Sequence, residues 1–192
     1  MSGLIDALAL ERPTLVGLSM GGGVAQYIAI ASPGLLRGLV LVSTSPIHPE
    51  PTRRRFLDRA ATAEREGMAA VVDATVSRWF TPDWAAAHPD EVEATRRTVL
   101  ATDPVQFARA SRANAARDCV DGLATIDCPV LFVGGLDDPA DPERAVAIYR
   151  REIRDLTVEL LPGVSHLVPV EAADRFGTIL EAFLDRLDGG PG

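Results

Sequence analysis

A glycine-rich turn constrains the fold of this chain more than any other feature of its sequence. The turn reads GLSMGGG over residues 17–23 and fits the pattern G-x-S-x-G. It follows the apolar run 14–18, which is typical of a strand buried on both faces, and it precedes a helical segment at 23–32. A serine on such a turn projects above the sheet, next to helix N–H groups that stabilise negative charge. The pattern predicts that Ser19 is a nucleophile.

The residues around this turn predict a parallel α/β unit. We expect Gly17 and Gly21 to permit the cramped turn, because a Cβ at either position would obstruct it. Residues 39–42 form a second apolar run. Strand, helix and strand joined by short connections are typical of a parallel βαβ arrangement.

The remaining sequence divides into a helical insertion and a return to the sheet. Residues 46–118 are rich in Ala and Arg, and their periodicity predicts about four short helices. After the insertion, strands and helices alternate again. The predicted insertion helices are 53–66, 68–79, 90–101 and 105–117; the other predicted elements are helices at 3–10, 142–152 and 171–187 and strands at 129–133 and 156–161.

Composition excludes several classes of function. The 192 residues include 19 basic residues, all of them arginine, so no mechanism that needs a lysine is available. The formal net charge of -8 argues against nucleic acid as a partner. No run reaches the roughly 20 apolar residues that cross a bilayer, and no signal peptide is evident at the N-terminus, so we expect no membrane association and a cytoplasmic location.

Metal and disulfide sites are not expected either. Cys119 and Cys128 lie nine residues apart, which matches neither a metal-binding pair nor a disulfide framework, and we expect reduced thiols. Three histidines without a cysteine cluster make a zinc site unexpected, and no metal ligands are assigned.

The same three histidines are the candidate bases for Ser19, because a serine hydroxyl is a poor nucleophile at neutral pH. His48 and His88 adjoin prolines in polar sequence, and we expect both at the surface. His166 lies in the loop that follows the last predicted strand. Loops at the carboxyl ends of parallel strands carry the sites of α/β sheets, so His166 is the predicted base.

A carboxylate that orients His166 is expected in the loop after the third strand. Asp137, Asp138 and Asp141 all lie there, and composition does not choose between them. The chain order Ser, Asp, His is that of the α/β-hydrolases.

At these residues the chain resembles the α/β-hydrolase superfamily. Its pattern G-x-x-D-x-x-x-P is matched by Gly135, Asp138 and Pro142, and the segment GVSH that ends at His166 resembles its G-x-x-H motif. The resemblance assigns Asp138 as the triad acid. Asp137 remains the alternative, although that assignment would require proline at position 141.

Within the superfamily, the insertion resembles the lid of 3-oxoadipate enol-lactonases. The segments that carry this resemblance are RWFTP at 78–82, AHP at 87–89 and VLAT at 99–102, together with GLSMGG at the turn. It implies an α/β-hydrolase core over 1–45 and 121–192 and a helical lid over 46–120. Residues 111–119 match the lactonase pattern only loosely, and related esterases share much of it.

The resemblance implies hydrolysis of a carboxylic ester or lactone by Ser-His-Asp chemistry, without a cofactor. The implied small-molecule substrate is 3-oxoadipate enol-lactone, from bacterial catabolism of aromatic compounds. Arg78, beside Trp79, is the candidate contact for its carboxylate. The alternatives are a broad carboxylesterase and an inactive fragment or interaction module that retains the triad residues.

The resemblance also implies strands before residue 1 that this sequence lacks, so the parallel sheet is expected to be truncated at its N-terminal side. The N–H of Met20 would then be one remaining oxyanion donor. Strand 14–18 would become an open edge, which a homodimer could cover. A misassigned gene start and a natural short form are both compatible with this arrangement.

Overall fold

Four parallel strands form the centre of the molecule. The structure, a computed structural model, describes residues 2–189. The strands lie side by side in sequence order, and each pairs in parallel with the next. Parallel neighbours need crossover connections, which the helices provide. The strands are β1 (Thr14–Leu18), β2 (Gly38–Val42), β3 (Val130–Gly135) and β4 (Leu156–Leu161).

Helices flank the sheet and form the insertion between β2 and β3. Several predicted boundaries change: the first helix ends earlier than expected, the second begins at Met20, and the last predicted helix is divided at Ala172. In the insertion, one helix begins earlier, at Glu50, and another ends earlier, at Ala115. No helix among residues 2–189 is long and apolar enough to cross a membrane. The helices are α1 (Ser2–Ala7), α2 (Met20–Ala31), α3 (Glu50–Glu66), α4 (Val72–Val76), α5 (Pro82–Ala87), α6 (Pro89–Leu100), α7 (Pro104–Ala115), α8 (Pro142–Glu152), α9 (Val168–Glu171) and α10 (Ala173–Asp188).

The two central strands are buried on both faces. Leu39 and Leu41 of β2 pack in one cluster with α2 and α8, whereas Val40 and Val42 pack in another with α10. Every residue of β2 and β3 is buried. The continuous apolar runs of these strands therefore reflect two covered faces, as predicted.

Strand β1 departs from that prediction. It pairs only with β2 among the described strands, and Val16 in its middle is 46% exposed. Residues 4–27 also expose apolar side chains on α1 and α2, including Leu4, Val24 and Tyr27. The expectation of burial on both faces is wrong for β1, whereas the expectation of an open edge is confirmed, because no other described strand pairs with it. The homodimer that would cover this edge stays a prediction.

The insertion has its own apolar core, formed by Met68, Val72, Phe80 and Val99 with their neighbours. The insertion contains five α-helices, α3 to α7, whereas about four are predicted from the sequence. The prediction of one helix over 68–79 is wrong: this segment contains a 3-10 turn at Met68–Ala70 and the short α4. β-Branched valines at 71 and 72 are buried at the break, where tertiary packing outweighs helical propensity. Helix α5 was not predicted.

Candidate active site

Ser19 occupies a strained turn between β1 and α2. Its φ of 53° and ψ of -112° are uncommon for a residue with a side chain. Its N–H donates to Val42 O of the neighbouring strand, and its carbonyl accepts hydrogen bonds from Thr44 Oγ1 at 2.7 Å and Arg117 Nη1 at 3.4 Å. The surrounding structure therefore stabilises the strained backbone, as is common at functional sites.

Two glycines near Ser19 are required by close approach of the backbone. A Cβ at Gly17 would lie 2.6 Å from Gly21 O, and a Cβ at Gly22 would lie 2.6 Å from Thr44 Cγ2. A Cβ at Gly21 would meet nothing within 4 Å. The expectation that Gly21 is sterically required is wrong, because its Cα faces open space, and Gly22 has that requirement instead.

The structure joins Ser19, His166 and Asp138 in one chain of side-chain hydrogen bonds. Ser19 Oγ lies 2.9 Å from His166 Nε2, and His166 Nδ1 lies 2.6 Å from Asp138 Oδ2. Asp138 is only 6% exposed, and its second oxygen accepts from Ala140 N at 2.8 Å. Asp137 is exposed and makes no such contact with the imidazole. The geometry thus favours Asp138 over Asp137 as the partner of His166.

The loop that carries Asp138 and the loop that carries His166 are in direct contact. A Cβ at Gly135 would lie 2.2 Å from both Val164 O and Ser165 O, so only glycine permits this approach. The Asp137 N–H donates to Val164 O at 3.0 Å. The two loops therefore fix the separation between the carboxylate and the imidazole.

Hydrogen bonds also attach the histidine loop to the insertion. Ser165 Oγ donates to Arg78 O at 3.3 Å, and Leu167 N donates to Trp79 O at 3.0 Å. The carboxylate of Glu171 accepts from Ser165 N at 2.8 Å and, with its other oxygen, from the N–H and the hydroxyl of Thr81. His166 thus lies between two residues that are each bonded to the lid.

A cavity of about 230 Å³ opens at Ser19 and His166, between the sheet and the insertion. Met20, Arg78 and Trp79, the other residues predicted from the sequence, also line it. Several other polar side chains here were not predicted, because helical periodicity does not show which arginine of the insertion faces inward. The additional polar lining residues on the insertion are His48, Thr52, Arg55, Arg59, Ser111, Asn114 and Arg117.

His48 and His88 are not surface residues, in contrast to the expectation. His88 is half-buried and stacks on Trp84 with ring centroids 4.2 Å apart. His48 lines the cavity and accepts a hydrogen bond from Arg117 Nη2. Burial, together with the positive charge of Arg117, lowers the pKa of His48 to about 4. His48 is therefore a neutral acceptor near pH 7.

No metal site is evident in the described part of the chain. Residues 2–189 contain no group of three or more His, Cys, Asp or Glu side chains that could hold a metal ion. Cys119 and Cys128 are both buried free thiols, and burial raises the pKa of each to about 11. These thiols therefore remain protonated near neutral pH.

Comparison with known proteins agrees with this fold. The sequence pattern of the Alpha/beta hydrolase family matches residues 2–178. The chain belongs to this family of hydrolases. Its sequence is 27% identical to 3-oxoadipate enol-lactonase 2 of Acinetobacter baylyi, over 96% of this chain and 68% of that protein. It is 30% identical to a protein of Caulobacter sp. (strain K31) for which carbamate hydrolysis is the proposed activity, over 94% and 68%.

Solved structures of hydrolases superpose closely on this one. The enol-lactonase from Burkholderia xenovorans LB400 matches with a TM-score of 0.89 and 29% identity, over 96% of this chain and 70% of that one. A thermophilic esterase from Thermogutta terrifontis matches with a TM-score of 0.87 and 29% identity, over 97% and 70%. The α/β-hydrolase fold expected from the sequence is confirmed, and the chain spans about 70% of these relatives' length.

Proposed function

We propose that this hydrolase cleaves a carboxylic ester or lactone with Ser19 as nucleophile. The observation that carries the proposal is the chain of contacts from Ser19 Oγ through His166 to Asp138. Because the Nδ1 hydrogen points to the buried carboxylate, Nε2 is free to accept the Ser19 proton. Ser19 then attacks the carbonyl, His166 returns the proton to the leaving alkoxide, and water hydrolyses the acyl-enzyme.

Met20 N–H would stabilise the developing oxyanion. Met20 is the first residue of α2, where backbone N–H groups have no partner within the helix and the dipole favours negative charge. One such donor typically contributes about 10²–10³ in turnover. Ser19 and Met20 line the same cavity, which supports this assignment.

The substrate that we propose is 3-oxoadipate enol-lactone. Enol-lactonases are among the similar sequences and the similar structures, and both Arg78 and Trp79 line the cavity. A broad carboxylesterase is the second candidate, supported by the likeness to the Thermogutta esterase. Replacing Arg78 with alanine separates them: loss of lactone turnover with simple ester turnover retained supports the lactonase, and equal retention of both removes Arg78 from the proposal.

Labelling with a fluorophosphonate probe tests the nucleophile directly. Such probes react with a serine that its base activates, so we expect labelling of the wild-type chain and none of Ser19→Ala or His166→Ala. Circular dichroism of each variant checks that the fold is retained. A folded wild-type chain that does not label would contradict the proposal and would favour the alternative of an inactive module.

A further inference from the structure

Arg117 is the only buried arginine among the described residues, with 6% of its surface exposed. It follows α7 at the end of the insertion, and neighbouring Asp118 forms a β-bridge with Ile47, shortly after β2. Arg117 therefore lies at the junction of the insertion and the sheet. It also lines the active-site cavity.

The charge of Arg117 is not balanced by a salt bridge within the described residues, although seven other arginines form such bridges. Burial lowers the pKa of Arg117, and three nearby side chains oppose that effect only in part. These side chains are Tyr149, Cys119 and Tyr27. Because buried charges are normally paired, the cation here indicates a role other than ion pairing.

The guanidinium of Arg117 donates instead to two uncharged acceptors. Nη1 donates to Ser19 O at 3.4 Å, and Nη2 donates to His48 Nε2 at 2.5 Å. His48 accepts this bond because its pKa of about 4 keeps the ring neutral near pH 7. The contact with Ser19 O is long, and the charge of the donor strengthens it. The two contacts hold a cation against the turn that carries the proposed nucleophile.

The third glycine of the GGG run makes room for this guanidinium. A Cβ at Gly23 would lie 1.9 Å from Arg117 Nη1 and 2.9 Å from its Cζ. The pattern G-x-S-x-G does not include position 23, which lies in the first turn of α2. Glycine is less favourable than alanine within a helix by about 1 kcal/mol. The space that Arg117 occupies therefore explains why glycine stands here.

Three donors converge on the carbonyl oxygen of Ser19. They are Thr44 Oγ1 at 2.7 Å, Gly23 N at 3.2 Å and Arg117 Nη1 at 3.4 Å. The bond from Gly23 belongs to the first turn of α2, whereas the other two come from outside the helix. A strained backbone such as that of Ser19 costs about 1–3 kcal/mol and persists only where its surroundings hold it.

The same carbonyl shares a peptide plane with the N–H of Met20. In a trans peptide the C=O and N–H groups point in opposite directions, so donors that hold Ser19 O also fix the direction of Met20 N–H. We propose that Arg117 is a positioning residue for the oxyanion, because its guanidinium holds and polarises the peptide between Ser19 and Met20. The inference rests on the proposed function, in which Met20 N–H is the oxyanion donor.

Kinetics with a neutral ester tests this role. Hydrolysis of p-nitrophenyl butyrate is compared in the wild type, Arg117→Ala and Arg117→Lys. We expect kcat of Arg117→Ala to fall about tenfold or more, with KM within about twofold of wild type, because a misdirected donor weakens binding of the transition state alone. Arg117→Lys keeps the charge and should lose less. Millimolar guanidinium chloride, far below denaturing concentrations, should restore part of kcat in Arg117→Ala, and sodium chloride should not.

The matched control is Arg109→Ala, on the preceding helix but exposed and outside the cavity. This variant should keep the wild-type kcat and KM. Gly23→Ala provides a second test if Arg117→Ala does not fold, because its Cβ displaces the guanidinium and should lower kcat similarly. A rise in KM with kcat retained, or no change in either, would overturn the inference and leave the proposed function intact.

A spectroscopic measurement separates the two proposals when no ester is hydrolysed. The chain contains three methionines, so labelling with ¹⁵N-methionine gives few amide resonances. The ¹⁵N shift of an amide responds to hydrogen bonds at the carbonyl of the preceding residue. We expect the Met20 resonance to move in Arg117→Ala and to return toward its wild-type position with guanidinium chloride, while that of Met68 stays.

The outcomes of this measurement are distinct. A Met20 resonance that does not move in Arg117→Ala would contradict the inference whether or not Ser19 is reactive. Movement of Met20 in a chain that hydrolyses no ester would support the hold of Arg117 on the peptide and would count against the proposed function alone.

Discussion

The two walls of the active-site cavity differ in how completely their polar groups are paired. On the sheet wall, formed by Ser19, Asp138 and His166, each side chain is hydrogen-bonded to the next. On the lid wall, formed by the insertion, the pairing is incomplete. Three of the four buried side-chain atoms without a partner in the described residues lie there: Arg59 Nε, Asn114 Oδ1 and Arg117 Nε.

This difference separates the reaction from the choice of substrate. The three side chains of the sheet wall pair with one another and need no ligand to set their geometry, so the proposed ester chemistry should not depend on which substrate reaches Ser19. A wall with unpaired donors and acceptors is complementary to a ligand that pairs them. Substitutions on the sheet wall should therefore affect all substrates, whereas those on the lid wall should affect some, except at Arg117, which contacts Ser19.

Among substitutions on the sheet wall, we expect Asp138→Asn to reduce turnover most. Without the carboxylate, His166 adopts the wrong tautomer for accepting the Ser19 proton, and we expect kcat to fall about 10⁴-fold for neutral and anionic esters alike. Asp137→Asn is the matched control, because Asp137 is exposed and has no contact with the imidazole. Steady-state kinetics of both variants shows which aspartate orients His166. A larger loss of kcat in Asp137→Asn would assign that role to Asp137.

A smaller effect tests the rigidity of the elbow. Gly17→Ala places a Cβ against the backbone oxygen of Gly21, and we expect the free energy of unfolding to fall by about 1–3 kcal/mol. Gly21→Ala meets nothing within 4 Å and should leave it unchanged or raise it by up to about 1 kcal/mol, because alanine favours helix. Urea denaturation measures both. Equal destabilisation by the two substitutions would show that the crowding at Gly17 does not matter.

The smallest effect concerns His48 on the lid wall. Its folded-state pKa of about 4 lies below the ordinary value of 6.5. Between these two pH values the unfolded chain binds more protons than the folded chain. The free energy of unfolding therefore falls as the pH decreases from 6.5 to about 4. Between pH 7 and pH 5, the melting temperature should fall by a few degrees less in His48→Gln than in the wild-type protein. For a chain of this size, each kcal/mol of stability corresponds to about 2–4 °C in melting temperature. The same fall in melting temperature for both proteins would contradict a buried neutral histidine at position 48.

The sheet wall could be predicted from the sequence because its residues occupy fixed places in short motifs. Ser19, Asp138 and His166 each follow a parallel strand, and strand ends converge on one side of a sheet. The lid wall could not. Arg53 and Arg59 lie on the same amphipathic helix, and only the packing of α3 against α7 turns one toward the cavity and leaves the other exposed.

The edge strand, whose open edge the resemblance had predicted, shows a limit of inference from an apolar run alone. Residues 14–18 and 39–42 both lack charged side chains and are mainly apolar, yet β2 is buried and Val16 of β1 is exposed. An apolar run indicates that a strand is suited to two covered faces. What covers those faces is a property of neighbouring segments, which the run itself does not encode.

The hydrogen bonds that join Arg78, Trp79 and Thr81 to the loop around His166 attach the proposed general base to the insertion. If the segment 78–81 lifts away from the sheet, it carries the imidazole away from Ser19. An open enzyme would then be chemically silent, and reactivity would return only on closure. Such coupling would link access to the cavity with the proposed catalysis, and it would protect the proposed acyl intermediate from other nucleophiles in the open form.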